Sequence, residues 1–224
     1  MGRWFFLALL FLASARAQTD IDAFFEAVDE GKEIFAEGLI LRGKVAPTAR
    51  NAEAETPLHA AVEKGMRGLT ATLIKAGAPL GARSRTGELP LHLAALHPDP
   101  WFAEQLLAAG ADPKPRNDSG ETPLHWAALT GNALTAERLL QRGADPNEHD
   151  LKGNLPLHGA ADGGYSEVAK LLLPRTKDPQ ARNRDGRTAA EIARARGFGD
   201  LARLIEEEKS PGADSAPHPR SGRP

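Results

Sequence analysis

A repeat of 33 residues runs through most of this chain and constrains its fold more than any other feature. The clearest blocks read TPLHAA, LPLHLAA, TPLHWAA, LPLHGAA and TAAEIA, and they start at Thr56, Leu89, Thr122, Leu155 and Thr188. A weaker copy with similar offsets starts at Asp22. A unit of this length cannot bury its apolar face alone, so the period predicts a stack of similar units in which each contacts only its neighbours.

Each copy has the features of two short helices. Thr56 and Thr122 can cap a first helix, whose first position is then a proline. Nine residues after four of the starts a glycine is placed to end that helix, at Gly65, Gly131, Gly164 and Gly197. A second helix follows with an apolar pair on one face, at Leu73/Ile74, Leu106/Leu107, Leu139/Leu140 and Leu172/Leu173. In three copies a turn that begins with Gly-Ala then reverses the chain.

The period and the T-P-L-H-x-A motif together resemble the ankyrin repeat, over about 190 of the 224 residues. The resemblance implies an all-α solenoid of about six helix-turn-helix units, with β-hairpin-like turns and a concave recognition surface. The copies lie at residues 20–50, 51–83, 84–116, 117–149, 150–182 and 183–208, within a domain that spans residues 18–208.

Two copies depart from the pattern. The fifth copy has Pro174 to Pro179 where the others have the Gly-Ala turn, so its outgoing hairpin is expected to be irregular. In the last copy Glu191 and Arg194 replace the usual histidine and alanine. Polar substitutions of this kind are expected of a terminal unit, because its outer face meets water instead of another repeat.

The two ends of the chain have different compositions from the repeats. Residues 1–17 combine Arg3, an apolar run from Trp4 to Ala13 and the small pair Ala15 and Ala17, which is the pattern of a cleaved signal peptide. That run is about half the length needed to span a bilayer, so no stable membrane anchor is expected after cleavage. We expect an exported protein, periplasmic if its source is bacterial and otherwise secreted. Residues 209–224 carry four prolines and no large apolar side chain, which predicts a disordered tail.

Composition excludes several kinds of site. The chain has no cysteine, so disulfides, thiolate metal sites and cysteine nucleophiles are absent. The net charge of −2 gives no overall basic excess of the kind that nucleic acid attracts. Asn117 begins an N-x-S sequon, which matters only in a glycosylating secretory pathway.

Four histidines at one repeat position could suggest a metal site, at His59, His92, His125 and His158. Neighbouring helices lie about 8–10 Å apart, whereas zinc binds its ligands at about 2 Å, so adjacent histidines cannot easily share one ion. In ankyrin repeats this imidazole bonds the backbone near its own hairpin, and the resemblance implies the same role here. His158 with Asp162, and His59 with Glu63, are spaced to form weak ion pairs on a helix. The sequence predicts no catalytic residue, cofactor or metal.

The repeat spacing also predicts a surface for a partner. Six residues before each start is a mostly basic column, formed by Arg50, Arg83, Arg116, His149 and Arg182, with Arg85, Arg184 and Arg187 nearby. We expect this basic column to steer an acidic patch of a partner protein, with Leu96, Trp126 and Leu129 as apolar contacts on the concave face. The alternatives are that the basic residues are merely solvated and that Trp126 is packed in the core.

These features predict a monomeric, exported module that binds another protein and has no catalytic activity. One alternative is an accessory factor that stabilises a periplasmic enzyme by holding it. Another is an enzyme whose site is not visible in the sequence, which would need a substrate pocket that stacked helix pairs rarely make.

Overall fold

A computed structural model describes the backbone of residues 2–208 and the side chains of residues 16–208. In these residues the regular structure comprises twelve α-helices and one 3-10 helix, with no β-strand, which confirms the predicted all-α class. The α-helices are α1 (Gly2–Asp29), α2 (Glu33–Leu41), α3 (Pro57–Glu63), α4 (Arg67–Lys75), α5 (Pro90–Leu96), α6 (Trp101–Ala108), α7 (Pro123–Thr130), α8 (Ala133–Gln141), α9 (Pro156–Gly163), α10 (Ser166–Leu172), α11 (Ala189–Ala195) and α12 (Gly199–Glu207), and the 3-10 helix is Leu173–Arg175.

The helices are arranged as six pairs that stack in chain order. Each odd-numbered helix packs against the even-numbered helix that follows it, and α3, α5, α7, α9 and α11 also pack against one another in sequence. The helices α2, α4, α6, α8 and α10 form a second, parallel row. Because the main contacts among the described helices join adjacent pairs, the stack is the predicted solenoid.

The core is one continuous apolar layer between the two rows. Four leucines that follow the repeat prolines are fully buried, at Leu58, Leu91, Leu124 and Leu157. Of each apolar pair on the second helices, the first leucine is completely buried, at Leu73, Leu106, Leu139 and Leu172. The second member is buried less consistently, since Ile74 and Leu140 are only partly covered. Alanines such as Ala61 and Ala128 are fully buried and let the first helices approach closely.

The connections between repeats are tight turns that stack side by side. One is closed by a hydrogen bond of 2.8 Å from the Ser84 N–H to the Glu88 carbonyl, and the neighbouring Arg85 N–H donates to the Glu53 carbonyl of the preceding turn at 2.7 Å. The inter-turn bond recurs in Asp118 to Thr86, Leu151 to Ser119 and Arg184 to Lys152. We call this row of turns, at residues 50–55, 83–88, 116–121, 149–154 and 182–187, the hairpin edge.

On the opposite side, glycines end the first helices as predicted. Gly131 and Gly164 adopt the left-handed conformation, with φ of +72° and +73°. The rings of Tyr165 and Phe198, each from the following repeat, lie directly against them. A Cβ at Gly131 would lie 2.3 Å from Tyr165, and one at Gly164 would lie 2.6 Å from Phe198. Glycine is therefore required both by the backbone and by the next repeat.

The fifth copy leaves its second helix irregularly, as expected from its prolines. The helix α10 runs directly into the 3-10 helix Leu173–Arg175 instead of a Gly-Ala turn. Thr176 then closes the segment, because its hydroxyl donates to the Leu172 carbonyl at 3.0 Å while the residue is fully buried.

The two ends of the stack differ in polarity. Arg203, Glu206 and Glu207 on α12 are exposed, whereas α2 exposes the apolar side chains of Ile34 and Leu41 at 86% and 71%. The helix α1 continues without a break past the predicted cleavage point. None of the described helices is both long and apolar enough to span a membrane. The predicted disordered tail lies outside the described residues.

Candidate functional site

The four repeat histidines are buried, and three of them bond to the following repeat. His59 accepts from the Thr56 N–H through Nδ1 at 3.1 Å, which satisfies a free donor at the start of α3. Its Nε2 lies 3.1 Å from the Glu88 carbonyl of the following repeat. The bond is repeated from His92 to Glu121 and from His125 to Asn154. The expected backbone bond is present in these three copies, but its carbonyl belongs to the next repeat, so His59, His92 and His125 each join two units.

The same rings cap helices that lack a threonine. At the third and fifth copies the residue before the proline is Leu89 or Leu155, which has no polar side chain. The N–H of each is bound instead by Nδ1 of His92 or His158, at 3.1 Å in both cases. The cap therefore depends on the histidine more than on the threonine that the sequence suggested.

Burial fixes the protonation of these histidines. Desolvation lowers the pKa of His92 to about 4, and it also lowers the pKa values of His59, His125 and His158. Since Nδ1 accepts from a backbone N–H, each neutral ring carries its proton on Nε2, and His59, His92 and His125 donate it to a carbonyl. In the described residues no group of histidines and carboxylates has the arrangement of a metal site.

The basic column lies along the hairpin edge and is engaged in hydrogen bonds. The Arg50 guanidinium donates to the Arg83 carbonyl at 2.7 Å, and Arg83 donates to the Arg116 carbonyl at 2.9 Å. Arg116 continues the series with a bond to the His149 carbonyl. Arg182 departs from it and pairs with Glu191 at 3.0 Å. These guanidinium groups are about half exposed, so they bind backbone carbonyls while still facing water.

The other nearby basic residues lie on the same edge. Arg85 bonds back to the Ala52 carbonyl of the preceding turn. His149, Arg184 and Arg187 are exposed. Carboxylates accompany the column, with Asp118 at 3.3 Å from Arg83 and Glu148 at 3.5 Å from Arg116.

The apolar candidates lie on the first helices α5 and α7. Leu96 and Leu129 are 41% and 50% exposed. Trp126 is partly buried, and its ring meets His92 edge to face with centroids 5.4 Å apart. Its Nε1 donates to Glu121 Oε2 at 2.8 Å. Trp126 is therefore neither a core residue nor a free side chain, since neighbours hold one edge of its ring in place.

A second column on the same edge is acidic. Glu55, Glu88 and Glu121 each stand one residue before a repeat start, and among the described side chains none of them pairs with a cation. Their nearest polar partners are uncharged, as in the bond of 3.0 Å from Asn117 Nδ2 to Glu121 Oε2. This glutamate column was not predicted from the sequence, although its 33-residue spacing is visible there.

The glutamate column ends in a cavity beside Gly159. The cavity has a volume of about 300 Å³ and is lined by residues of α7, α9, α11 and the hairpin edge, including Glu121, Leu129, Asp150, His158, Gly159 and Ile192. The first helices and the hairpin edge therefore form one surface, which we call the inner face. Gly159 occupies the position that holds Ala60, Leu93, Trp126 and Ile192 in other copies, so the missing side chain leaves the space.

Comparison with known families identifies the family to which this stack of helix pairs belongs. A family model described as ankyrin repeats (3 copies) matches residues 24–117, 91–183 and 133–214, which together span most of the chain. The chain belongs to the ankyrin repeat family. No match is found among curated proteins. Ankyrin repeats are generally modules of protein interaction and are typically not catalytic, so the inner face of this ankyrin solenoid is its candidate binding surface.

Two polar residues of this ankyrin solenoid, Asp162 and Asn117, make contacts that the sequence did not predict. Asp162 pairs with Arg196 at 2.7 Å, and not with His158. Asn117, the sequon residue, is only 7% exposed, and its Oδ1 accepts from the N–H groups of Ser119 and Glu121 at 3.0 and 2.9 Å. The sequon therefore serves the ankyrin turn, and the folded chain does not offer Asn117 for glycosylation.

Proposed function

We propose that this protein is an exported, monomeric module that binds another protein through its inner face and has no catalytic activity. The observation that carries the proposal is the exposure of Leu96 and Leu129 at the same position of successive repeats, together with the Trp126 ring that its neighbours hold in place on the same helix as Leu129. A rigid aromatic group accompanied by exposed aliphatic side chains is typical of a protein interface. Family membership supports the same conclusion.

Export is part of the proposal and rests on residues 1–17. The short apolar run and the pair Ala15 and Ala17 have the form of a signal peptide. Protein purified from its own host should have the intact mass of a chain that begins at Gln18. A mass that includes residues 1–17, together with fractionation in the cytosol, would contradict export.

The second candidate function is that of an accessory factor whose partner is itself an enzyme. A solenoid that holds such a partner would act as an accessory or stabilising factor, and it would use the same inner face. A decrease in the partner's melting temperature when this protein is absent would support this role, whereas co-purification without any effect on partner stability supports simple binding.

Affinity capture from the native envelope fraction tests the proposal. We expect the wild type to retain at least one protein that the double variant Leu96→Ser/Leu129→Ser loses. The matched control is Leu134→Ser, because Leu134 is 55% exposed on α8, away from the inner face. Equal capture by all three proteins would contradict the inner face as the binding surface. Turnover of a substrate panel by the purified protein would contradict the absence of catalysis.

A further inference from the structure

We propose that the cavity beside Gly159 binds a lysine or arginine side chain of the partner, so the inner face is built for a basic, apolar segment of a protein. This inference rests on the proposed function and names the chemistry of the partner. Its basis is the charge, the space and the unused hydrogen-bonding capacity of one small region. It differs from the acidic partner that the basic column alone suggested.

Charge is the first argument. The lining of the cavity contains four carboxylates, from Glu121, Asp150, Asp162 and Asp185, and two cations, from Lys152 and Arg187. The buried histidines in the lining have lowered pKa values and stay neutral at neutral pH, because burial disfavours the imidazolium. The lining residues therefore carry a net charge of −2. A partner cation complements this region, and an anion does not.

Two of the carboxylates are free of cations. Asp162 is paired with Arg196 and Asp185 lies 3.4 Å from Arg187, but Glu121 and Asp150 form no ion pair in the described part of the chain. Both hydrogen bonds that Glu121 accepts with its side chain end on Oε2, from Asn117 and Trp126. Its Oε1 is left without a protein donor among the described residues, so a partner cation has an acceptor there.

The basic column does not supply these missing cations. Arg116 lies in the same turn of the hairpin edge as Glu121, yet its Nε donates to the Gly120 carbonyl at 2.9 Å and its Nη2 to the His149 carbonyl. Its carboxylate contact is with Glu148. The hairpin edge thus uses its guanidinium groups to bind its own backbone, and it leaves the glutamate column for another molecule.

The shape and lining of the cavity suit a lysine or arginine side chain. Leu129 and Ile192 line the cavity and can pack against the aliphatic stem of a lysine or arginine. A Cβ at Gly159 would meet the backbone and Cβ of Leu129 at 3.4 to 3.7 Å, which is ordinary contact. The cavity therefore exists because Gly159 has no side chain, and a larger residue there would occupy it without distorting α9.

His158 provides an independent sign of a missing ligand. It lines the cavity and is 2% exposed, but its Nε2 is buried without a hydrogen-bond partner, unlike the three equivalent histidines. The carbonyls of Arg187 and Ala181 oppose the fall of the His158 pKa but do not complete a hydrogen bond. With Nδ1 accepting from Leu155, the unpaired Nε2–H is a donor.

Selection from a displayed library of random 12-residue peptides on the immobilised protein tests the inference. We expect the selected peptides to be enriched in lysine or arginine next to leucine or phenylalanine. Their affinity, measured by fluorescence anisotropy, should fall about tenfold in Glu121→Gln/Asp150→Asn, which corresponds to one weakened ion pair. Asp150→Asn preserves the turn, because Asn51, Asn117 and Asn183 stand at the same repeat position. The control Asp200→Asn/Glu207→Gln removes the same two charges on α12 and should bind normally.

Filling the cavity gives a second, uncharged test. Gly159→Leu should weaken the same peptides by a similar factor while the protein keeps its circular dichroism and melting temperature. Selection of acidic peptides, or equal binding of basic peptides by wild type, Glu121→Gln/Asp150→Asn and Gly159→Leu, would overturn the inference while leaving the proposed function intact. If no selected peptide is sensitive to Leu96→Ser/Leu129→Ser, the proposed function fails, and the inference fails with it.

Discussion

The guanidinium of Arg83 donates to the backbone carbonyl of Arg116, 33 residues further along the chain, at 2.9 Å. Because Arg50 and Arg116 make the same contact with the next turn, the hairpin edge carries a chain of side-chain bonds parallel to its backbone bonds. A column that the sequence suggested as a steering surface therefore also holds successive repeats in register.

Arg83→Met should destabilise the fold by about 1 kcal/mol, because it removes a charge-assisted bond that is half exposed. Urea unfolding monitored by circular dichroism measures this loss. Arg184→Met is the control, since Arg184 is exposed on the same edge, and it should cost much less. Equal effects of the two variants would show that the inter-repeat bond contributes nothing.

Thr135→Val should stabilise the protein by about 1 kcal/mol. Thr135 is completely buried and its hydroxyl has no hydrogen-bond partner, so valine keeps the shape and removes an unpaired polar group. Thr176→Val is the matched control and should destabilise, because the equally buried Thr176 hydroxyl donates to Leu172. Opposite signs in thermal unfolding are the expected result, and a loss of stability in both would contradict it.

Gly131→Ala should cost more than Gly77→Ala, although both glycines have φ above +70°. The backbone strain is common to both and costs about 1 kcal/mol. Only at Gly131 does the new Cβ also meet the Tyr165 ring, whereas nothing lies within 4 Å at Gly77. The double variant Gly131→Ala/Tyr165→Ala separates the two causes. A cost at Gly131 that is unchanged by removal of the Tyr165 ring would contradict a steric origin.

Stability should decrease as the pH falls from about 6.5 to about 4. The His92 pKa is about 4 in the folded protein and 6.5 as its ordinary value, so the unfolded state binds more protons across this interval. This difference corresponds to about 3 kcal/mol for His92, and the other three buried histidines act in the same direction. Urea unfolding at pH 7.5 and 4.5 measures the change. His92→Gln should flatten the dependence, whereas His149→Gln, at an exposed position, should not.

The repeat spacing predicts the number and order of the helix pairs because helix starts, helix ends and core leucines recur at fixed offsets. It does not predict which partner each polar group finds. The reach of Arg83 to the next turn and of His59 to Glu88 depends on how closely the repeats stack. The uneven burial of Ile74 and its paired Leu73 also depends on the angle between neighbouring helices, which the sequence pattern does not specify.

The candidate site was predicted in part. Leu96, Leu129 and Trp126 are where the spacing places them, but the bond that fixes the Trp126 ring to Glu121 could not be read from a list of offsets. The cavity beside Gly159 was missed for a similar reason. A glycine in a column that also holds Leu93, Trp126 and Ile192 becomes a space only when the residues of three repeats surround it.

The difference in polarity between the two ends of the stack affects where a repeat could be added during evolution. A unit added by tandem duplication after α12 would have to bury Arg203 and Glu207, which now face water. Duplication at the α2 end would instead cover Ile34 and Leu41. By this measure of polarity, the amino-terminal end and the interior of the array accommodate a new repeat at lower desolvation cost than the end formed by α12.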